Sequence, residues 1–247
     1  MAIRVRPLLN RDFGKEDVTI IGKDKWSIQI TDGSHLVQSK YTKVFAGSEN
    51  SQTQVYEFTK DAISEVLNGY NWTIFAYGQT GSGKTYTMFG PRWEESAYSS
   101  ARNIEDYLRK NKGKIKQEIY AFSDQEYLGV IPRAIEDIFI SIENAVISDA
   151  SMKFTVYWSF LQIYNEKLYD LLQDTKSIHP LEIREDKFTG IYVEGLTEYV
   201  VSSSRDWFGL LKRGEKNRVT RHTRINSNSS RSHSIFQLLV ETDTVDK

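Results

Sequence analysis

Cysteine is absent from the 247 residues, which excludes a disulfide framework, a thiolate metal site and a cysteine nucleophile, and fits a reducing compartment. Histidine occurs only as His35, His179, His222 and His233, never at the spacing of a metal-binding pair, so a zinc enzyme is not expected. No run of about 18 apolar residues occurs, and Met1–Pro7 opens no signal-length apolar stretch. The reading is a soluble intracellular chain. Charge of one sign is lacking too: 32 Lys and Arg stand against 33 Asp and Glu, a net charge of −1. Bulk attraction to nucleic acid or to an anionic membrane is therefore not expected, and a polyanionic partner would have to be met by a local patch.

What is present, 39% hydrophobic and 13% aromatic residues, suffices for a large core. No internal repeat or low-complexity linker divides the chain, so residues 1–247 are expected to form one continuous domain. Apolar or alternating runs predict strands at Ala2–Val5, Trp26–Ile30, Trp72–Tyr77, Lys153–Tyr164, Gly190–Val201 and Ser234–Glu241. Helical spacing covers Ser51–Asn68, with Ser51 as cap and Gly69 at the end, then a stretch after Lys84, and Val130–Ile147. A further helix is expected from near Ser203, where Asp206 suits a capping box and Trp207, Leu210 and Leu211 face inward. Strands alternating with helices predict an α/β layered fold. Residues 91–129 read as a long surface insertion, in which Arg109, Lys110, Lys112, Lys114 and Lys116 form a basic run.

The chemistry is carried by Gly78-Gln79-Thr80-Gly81-Ser82-Gly83-Lys84-Thr85, which satisfies the phosphate-binding P-loop pattern, with an expected strand before it and a helix after it. Glycines let backbone N–H groups turn onto phosphate oxygens, Lys84 reaches the terminal phosphates, and the Thr85 hydroxyl suits Mg²⁺. The pattern alone is shared by kinases, GTPases, helicases and motors. A second segment, Asn226-Ser227-Asn228-Ser229-Ser230-Arg231-Ser232-His233, offers uncharged hydroxyls and one guanidinium just before a strand, as a γ-phosphate-sensing switch would, or as an ordinary serine-rich turn would.

Together these segments resemble the kinesin motor domain. Phe75–Met88 matches that family's nucleotide signature nearly throughout, and Asn226 with Ser229–His233 is similar to its first switch. Arg4-Val5-Arg6-Pro7 and Gln162–Leu172 add two further signatures in the same order. The resemblance implies a P-loop NTPase-like fold with a central, mostly parallel mixed sheet flanked by helices, binding ATP with Mg²⁺. Carried over, it implies that Arg4 and Pro7 border the adenine, that Tyr86 stacks near it, and that Gln79, Thr80, Gly81, Ser82, Gly83, Lys84 and Thr85 wrap the phosphates. It further implies that Thr85 meets Mg²⁺, that Ser230 meets Mg²⁺ or the γ-phosphate, that Asn226 lies beside the triphosphate, and that Arg231 forms a closing salt bridge. On the partner side it implies a microtubule, met by a hairpin over Leu181–Val201 through Arg184 and Lys187, and a place on the cytoplasmic cytoskeleton.

Kinesin motors run to roughly a third more chain than this one. The family's second switch, an Asp-Leu-Ala-Gly-Ser-Glu type segment, its main microtubule-binding helix and its neck linker are not found in the sequence. Glu241 or Asp243 is a poor substitute for the missing carboxylate, because the resemblance puts their strand directly after the first switch. The expected reading is the front two thirds to three quarters of a motor, truncated after that switch, with ATP turnover a property of the complete motor. The alternative is a non-motile, microtubule-associated structural relative, for example of a cilium with axonemal partners. A small-molecule kinase would need a substrate lid that the sequence does not offer.

Overall fold

The computed structural model describes residues 1–8, 19–22, 24–31, 34–90, 127–173, 179–188, 190–203, 206–225 and 232–244. Contacts group the chain into two compact units, one holding the described residues of Met1–Glu65, Tyr70–Trp93 and Ser123–Ala134, the other those of Val66–Gly69, Glu94–Phe122 and Ile135–Lys247.

In the first unit, β1 (Ala2–Arg4) pairs in parallel with β5 (Lys43–Phe45), Arg4 opposite Phe45. An antiparallel sheet of β2 (Thr19–Ile21), β3 (Ser27–Thr31) and β4 (Leu36–Lys40) stands beside this pair in sequence, and β3 matches the expected Trp26–Ile30 strand within a residue. The expected helix over Ser51–Asn68 forms as two pieces, α1 (Gln52–Glu57) and α2 (Asp61–Leu67). Ser51 caps α1 in a full capping box with Gln54. The break has a local cause: the Thr59 hydroxyl donates to the Tyr56 carbonyl at 2.9 Å, and the Thr59 N–H takes the same carbonyl, so a three-residue turn replaces the helical bond. Phe45, Val55, Tyr56 and Val130 make the core here, with Ala2, Met88 and Ala134 against it.

The expected strand Trp72–Tyr77 does not form. No described segment pairs with it, and its side chains stand in solvent, Phe75 at 79% and Tyr77 at 95% exposure. An apolar run supplies side-chain preference, but a ladder needs backbone groups from a neighbouring strand, and none of the described residues provides them. The helix after Lys84 is present but short, α3 (Lys84–Met88).

The second unit is organised on β6 (Met152–Tyr164). Along its whole length β11 (Ser232–Thr244) pairs antiparallel, while β10 (Tyr199–Val201) and β7 (Lys167–Asp170) take successive stretches of its other edge. The middle of β6 is flanked by strands on both edges and buried on both faces, with Trp158, Phe160, Leu161 and Gln162 all inside. The turn into β7 is made by Asn165 and Glu166, both at positive φ, as a two-residue hairpin requires. The expected Gly190–Val201 strand is instead β9 (Gly190–Val193), hairpinned to β8 (Ile183–Asp186), and then β10. The interruption follows from Thr197, whose N–H is drawn to Asp170 at 2.8 Å and so leaves the ladder.

Helix α4 (Val130–Ser148) buries Ile135 and Ile138, and α5 (Asp206–Ile225) packs on β6 through Trp207 and Leu211. Asp206 accepts from the N–H groups of Ser202 and Ser203, at 3.0 Å each, as the expected cap required. Trp158 stacks on Trp207, centroids 5.9 Å apart, and meets Phe236 edge-on. Gly214 of α5 lies so close that a Cβ there would stand 2.2 Å from Phe160 Cδ1. In a helix interior, glycine to alanine ordinarily gains about 1 kcal/mol. Here Gly214→Ala is expected to lower stability by about 1–3 kcal/mol, because the buried Phe160 ring has to move. A higher melting temperature for the variant would contradict this packing.

Candidate functional site

The loop from Gly78 to Thr85 folds tightly around its own lysine. The Lys84 ammonium donates to the carbonyls of Gly78 and Gln79 at 2.8 and 2.9 Å, and the Ser82 N–H turns back onto the Gln79 carbonyl at 3.2 Å. Gly83 caps α3 in the left-handed region, φ 102°, where a side chain would be strained, and Gly81 has φ 78°. From that cap the chain enters α3, with Thr87 N–H on the Gly83 carbonyl and the Thr87 hydroxyl on the same oxygen. Gln79, Thr80, Gly81 and the hydroxyl-bearing Thr85 are exposed, while Ser82, Gly83 and Lys84 are half-buried.

Beside the loop, in the same unit, Arg4 at the end of β1 is held by four bonds. Its Nε donates to Asn50 Oδ1 (2.6 Å), Nη1 to Gln52 Oε1 (2.8 Å) and Thr87 Oγ1 (3.0 Å), and Nη2 to the Asn50 carbonyl (2.9 Å). All four acceptors are uncharged, so none of them neutralises the guanidinium's charge. Burial pulls its pKa below the usual arginine range, with Tyr86 acting in the opposite sense. The guanidinium lies over the Tyr86 ring, 4.9 Å from the centroid, a cation–aromatic pair. Pro7 is exposed two residues beyond Val5, whose carbonyl accepts from Asn50 Nδ2 at 2.6 Å.

Sequence reasoning missed Asn50, Gln52 and Thr87. No sequence signal marks Gln52: directly after the Ser51 cap a polar residue would ordinarily be solvated, and only the structure shows it 3% exposed.

Of the other expected site residues, Asn226, Ser230, Arg231 and the basic run Arg109–Lys116 lie outside the described residues. Arg184 and Lys187 belong to the second unit, on the β8–β9 hairpin. Arg184 is balanced there by Glu194 at 3.1 Å and Glu182 at 2.7 Å, and its pKa is raised by the hydrogen bond it donates to Glu194 first and the Glu182 charge second. Lys187 is exposed in the turn, next to the fully protruding Phe188. Glu241 and Asp243 sit on β11 near Tyr157, whose hydroxyl pKa they raise, Glu241 most strongly.

Among the described residues no group of three or more His, Asp or Glu could hold a metal ion. The exposed Thr85 hydroxyl at the head of α3 is a ligand type that Mg²⁺ accepts beside phosphate oxygens and water. No helix among the described residues is long and apolar enough to cross a membrane.

A family model described as the kinesin motor domain matches residues 4–247. Kinesin-related protein 5 of Dictyostelium discoideum is 39% identical over 244 residues, covering 98% of this chain and 21% of that protein. Centromere-associated protein E of Homo sapiens is 36% identical over 98% of this chain and 8% of its own length. The solved structure of a fast kinesin, described with regard to its ATPase mechanism and interactions with microtubules, superposes with a TM-score of 0.79 at 31% identity, covering 98% of this chain and 59% of that one. The chain thus spans about a fifth or less of these curated relatives, and its α/β layering is that of the solved kinesin.

Proposed function

Since the chain belongs to the kinesin motor domain family, we propose that it binds ATP with Mg²⁺ through the Gly78–Thr85 loop and that the whole protein couples ATP hydrolysis to microtubule binding and movement. The observation that carries this reading is the loop itself, folded around Lys84 with Gly83 at φ 102°, and with the Arg4–Tyr86 pair in the same unit. Backbone N–H groups from Gln79 to Gly83 receive the phosphates, and the Lys84 ammonium exchanges its carbonyl partners for phosphate oxygens, which are charged and bind it more strongly. Arg4, Pro7 and Tyr86 border the purine, the two planar groups offering stacking surface. Mg²⁺ would be held by the hydroxyls of Thr85 and Ser230 and would neutralise phosphate charge. Asn226 and Arg231 complete the switch beside the terminal phosphate. Microtubule contact involves the β8–β9 hairpin, where Lys187 is the basic group not spent on an internal ion pair with Glu182 or Glu194.

The test is ATP turnover with and without microtubules, for the 247-residue chain and for the product of the full transcript. Microtubule-stimulated turnover in the longer product is the expected result. Absence of ATP binding in both would overturn the nucleotide reading. Tight microtubule binding indifferent to nucleotide, with no turnover in either, would replace the motor by a non-motile structural relative.

A further inference from the structure

Gln52 spends every polar group it has on the base end of this site. Its Oε1 accepts from Arg4 Nη1 at 2.8 Å, and its Nε2 donates to the Tyr86 carbonyl at 2.6 Å and to the Tyr127 carbonyl at 3.5 Å. One buried side chain thereby ties both members of the Arg4–Tyr86 stack, the first through its guanidinium and the second through its backbone. Gln52 itself is held where the Ser51–Gln54 capping box starts α1, so its amide is fixed by the fold and not by the ligand. Without it, Arg4 would lose one of four bonds and regain rotamers. A guanidinium with only neutral acceptors has no ion pair to hold it in plane.

We propose that Gln52 is a positioning residue for the purine: it pre-sets the Arg4–Tyr86 stack against which the base of a purine nucleoside triphosphate lies, and so governs base affinity and discrimination without touching the nucleotide. The inference rests on the nucleotide reading above and deepens it. Its physical basis is preorganisation, since a stack already fixed costs less to bind against than one that must be ordered on binding.

The experiment separates base from phosphate. Affinities for Mg²⁺–ATP, Mg²⁺–GTP and inorganic tripolyphosphate are measured by calorimetry in the wild-type chain, in Gln52→Leu, in Arg4→Ala and in the double variant. Gln52→Leu is expected to weaken ATP about tenfold and to bring the ATP and GTP affinities closer together several-fold, with tripolyphosphate changed less than about twofold. In the Arg4→Ala background, Gln52→Leu is expected to weaken ATP clearly less than it does in wild type, because the part of its effect that runs through Arg4 is already gone and only the tie to Tyr86 remains. Equal losses for ATP and tripolyphosphate, or additive losses in the double variant, would reduce Gln52 to a structural support and overturn the proposal. So would unchanged ATP affinity in Gln52→Leu. If that variant does not fold, Gln52→Glu, which keeps an oxygen facing Arg4, replaces it. Lacking the Nε2 donor to the Tyr86 carbonyl, it is expected to lower the ATP-to-tripolyphosphate preference several-fold, and a preference equal to that of wild type would equally overturn the role. A wild-type chain that binds neither ATP nor tripolyphosphate would instead sink the P-loop reading, a different failure.

Discussion

Lys84→Ala is expected to lower the affinity for Mg²⁺–ATP by at least about 100-fold, the largest effect of any single substitution in the loop. The ammonium is the only cation among Gly78–Thr85, and each of its hydrogen bonds to a charged oxygen contributes about 1.5–3 kcal/mol. Two such bonds lost together correspond to about 3–6 kcal/mol, or two to four powers of ten in affinity. The substitution also removes the bonds to the Gly78 and Gln79 carbonyls that close the loop on itself. Those carbonyls are within reach of solvent, so the global fold should survive, with circular dichroism and melting temperature little changed. Titration with a non-hydrolysable Mg²⁺–ATP analogue checks the prediction. A well-folded variant that binds it as tightly as wild type would remove Lys84 from the phosphate site and take the P-loop assignment with it.

The second large effect concerns stability. Asp170, 2% exposed, accepts from the N–H groups of Leu172 at 2.6 Å, Gln173 at 3.3 Å and Thr197 at 2.8 Å. It pins the chain leaving β7 and the chain entering β10 to one carboxylate. Asn217 on α5 then donates to the Leu171 carbonyl at 2.7 Å and secures the same corner from the helix side. Asp170→Ala removes a charged acceptor and strands three N–H groups, two of them in or next to buried backbone, at about 1–3 kcal/mol each after partial relaxation. A loss of about 3–5 kcal/mol is therefore expected, a large share of the 5–15 kcal/mol typical of a domain. Asp170→Asn retains one carbonyl oxygen for Leu172 and Gln173, but turns an amide donor toward Thr197, and should lose about half as much. Urea denaturation of both variants measures this. Equal stability of wild type and Asp170→Ala would show that the corner is held by other contacts.

Asp170 lies near the end of the Gln162–Leu172 signature that the sequence shares with kinesins, and the structure gives that signature a physical content. Gln162 is buried in β6, Asn165 and Glu166 turn the hairpin at positive φ, and Leu171 and Leu172 enter the core. Its residues build the hairpin and its corner, while the phosphate chemistry proposed above is assigned to Gly78–Thr85.

The features legible in the sequence are those whose physical cause is local. The Ser51 cap needs only Gln54 three residues on, the Asp206 cap only Ser202 and Ser203, and the turn of the Gly78–Thr85 loop only its own glycines and lysine. Strands β6 and β11 are long, apolar runs with few alternatives, and they form within about two or three residues of where their composition puts them. Tertiary structure alone decided the rest, because a ladder or a buried amide takes its partners from distant chain. Trp72–Tyr77 has the composition of a strand and no neighbour to pair with among the described residues, so its backbone stays outside any sheet. Gln52 looks like an ordinary helix-opening residue until Arg4, 48 positions earlier, and Tyr86, 34 positions later, are brought to it. Thr197 breaks an apparently continuous strand because Asp170, 27 positions earlier, competes for its N–H. Periodicity reports what a side chain prefers, whereas hydrogen-bond partners are assigned only when the chain has folded back on itself.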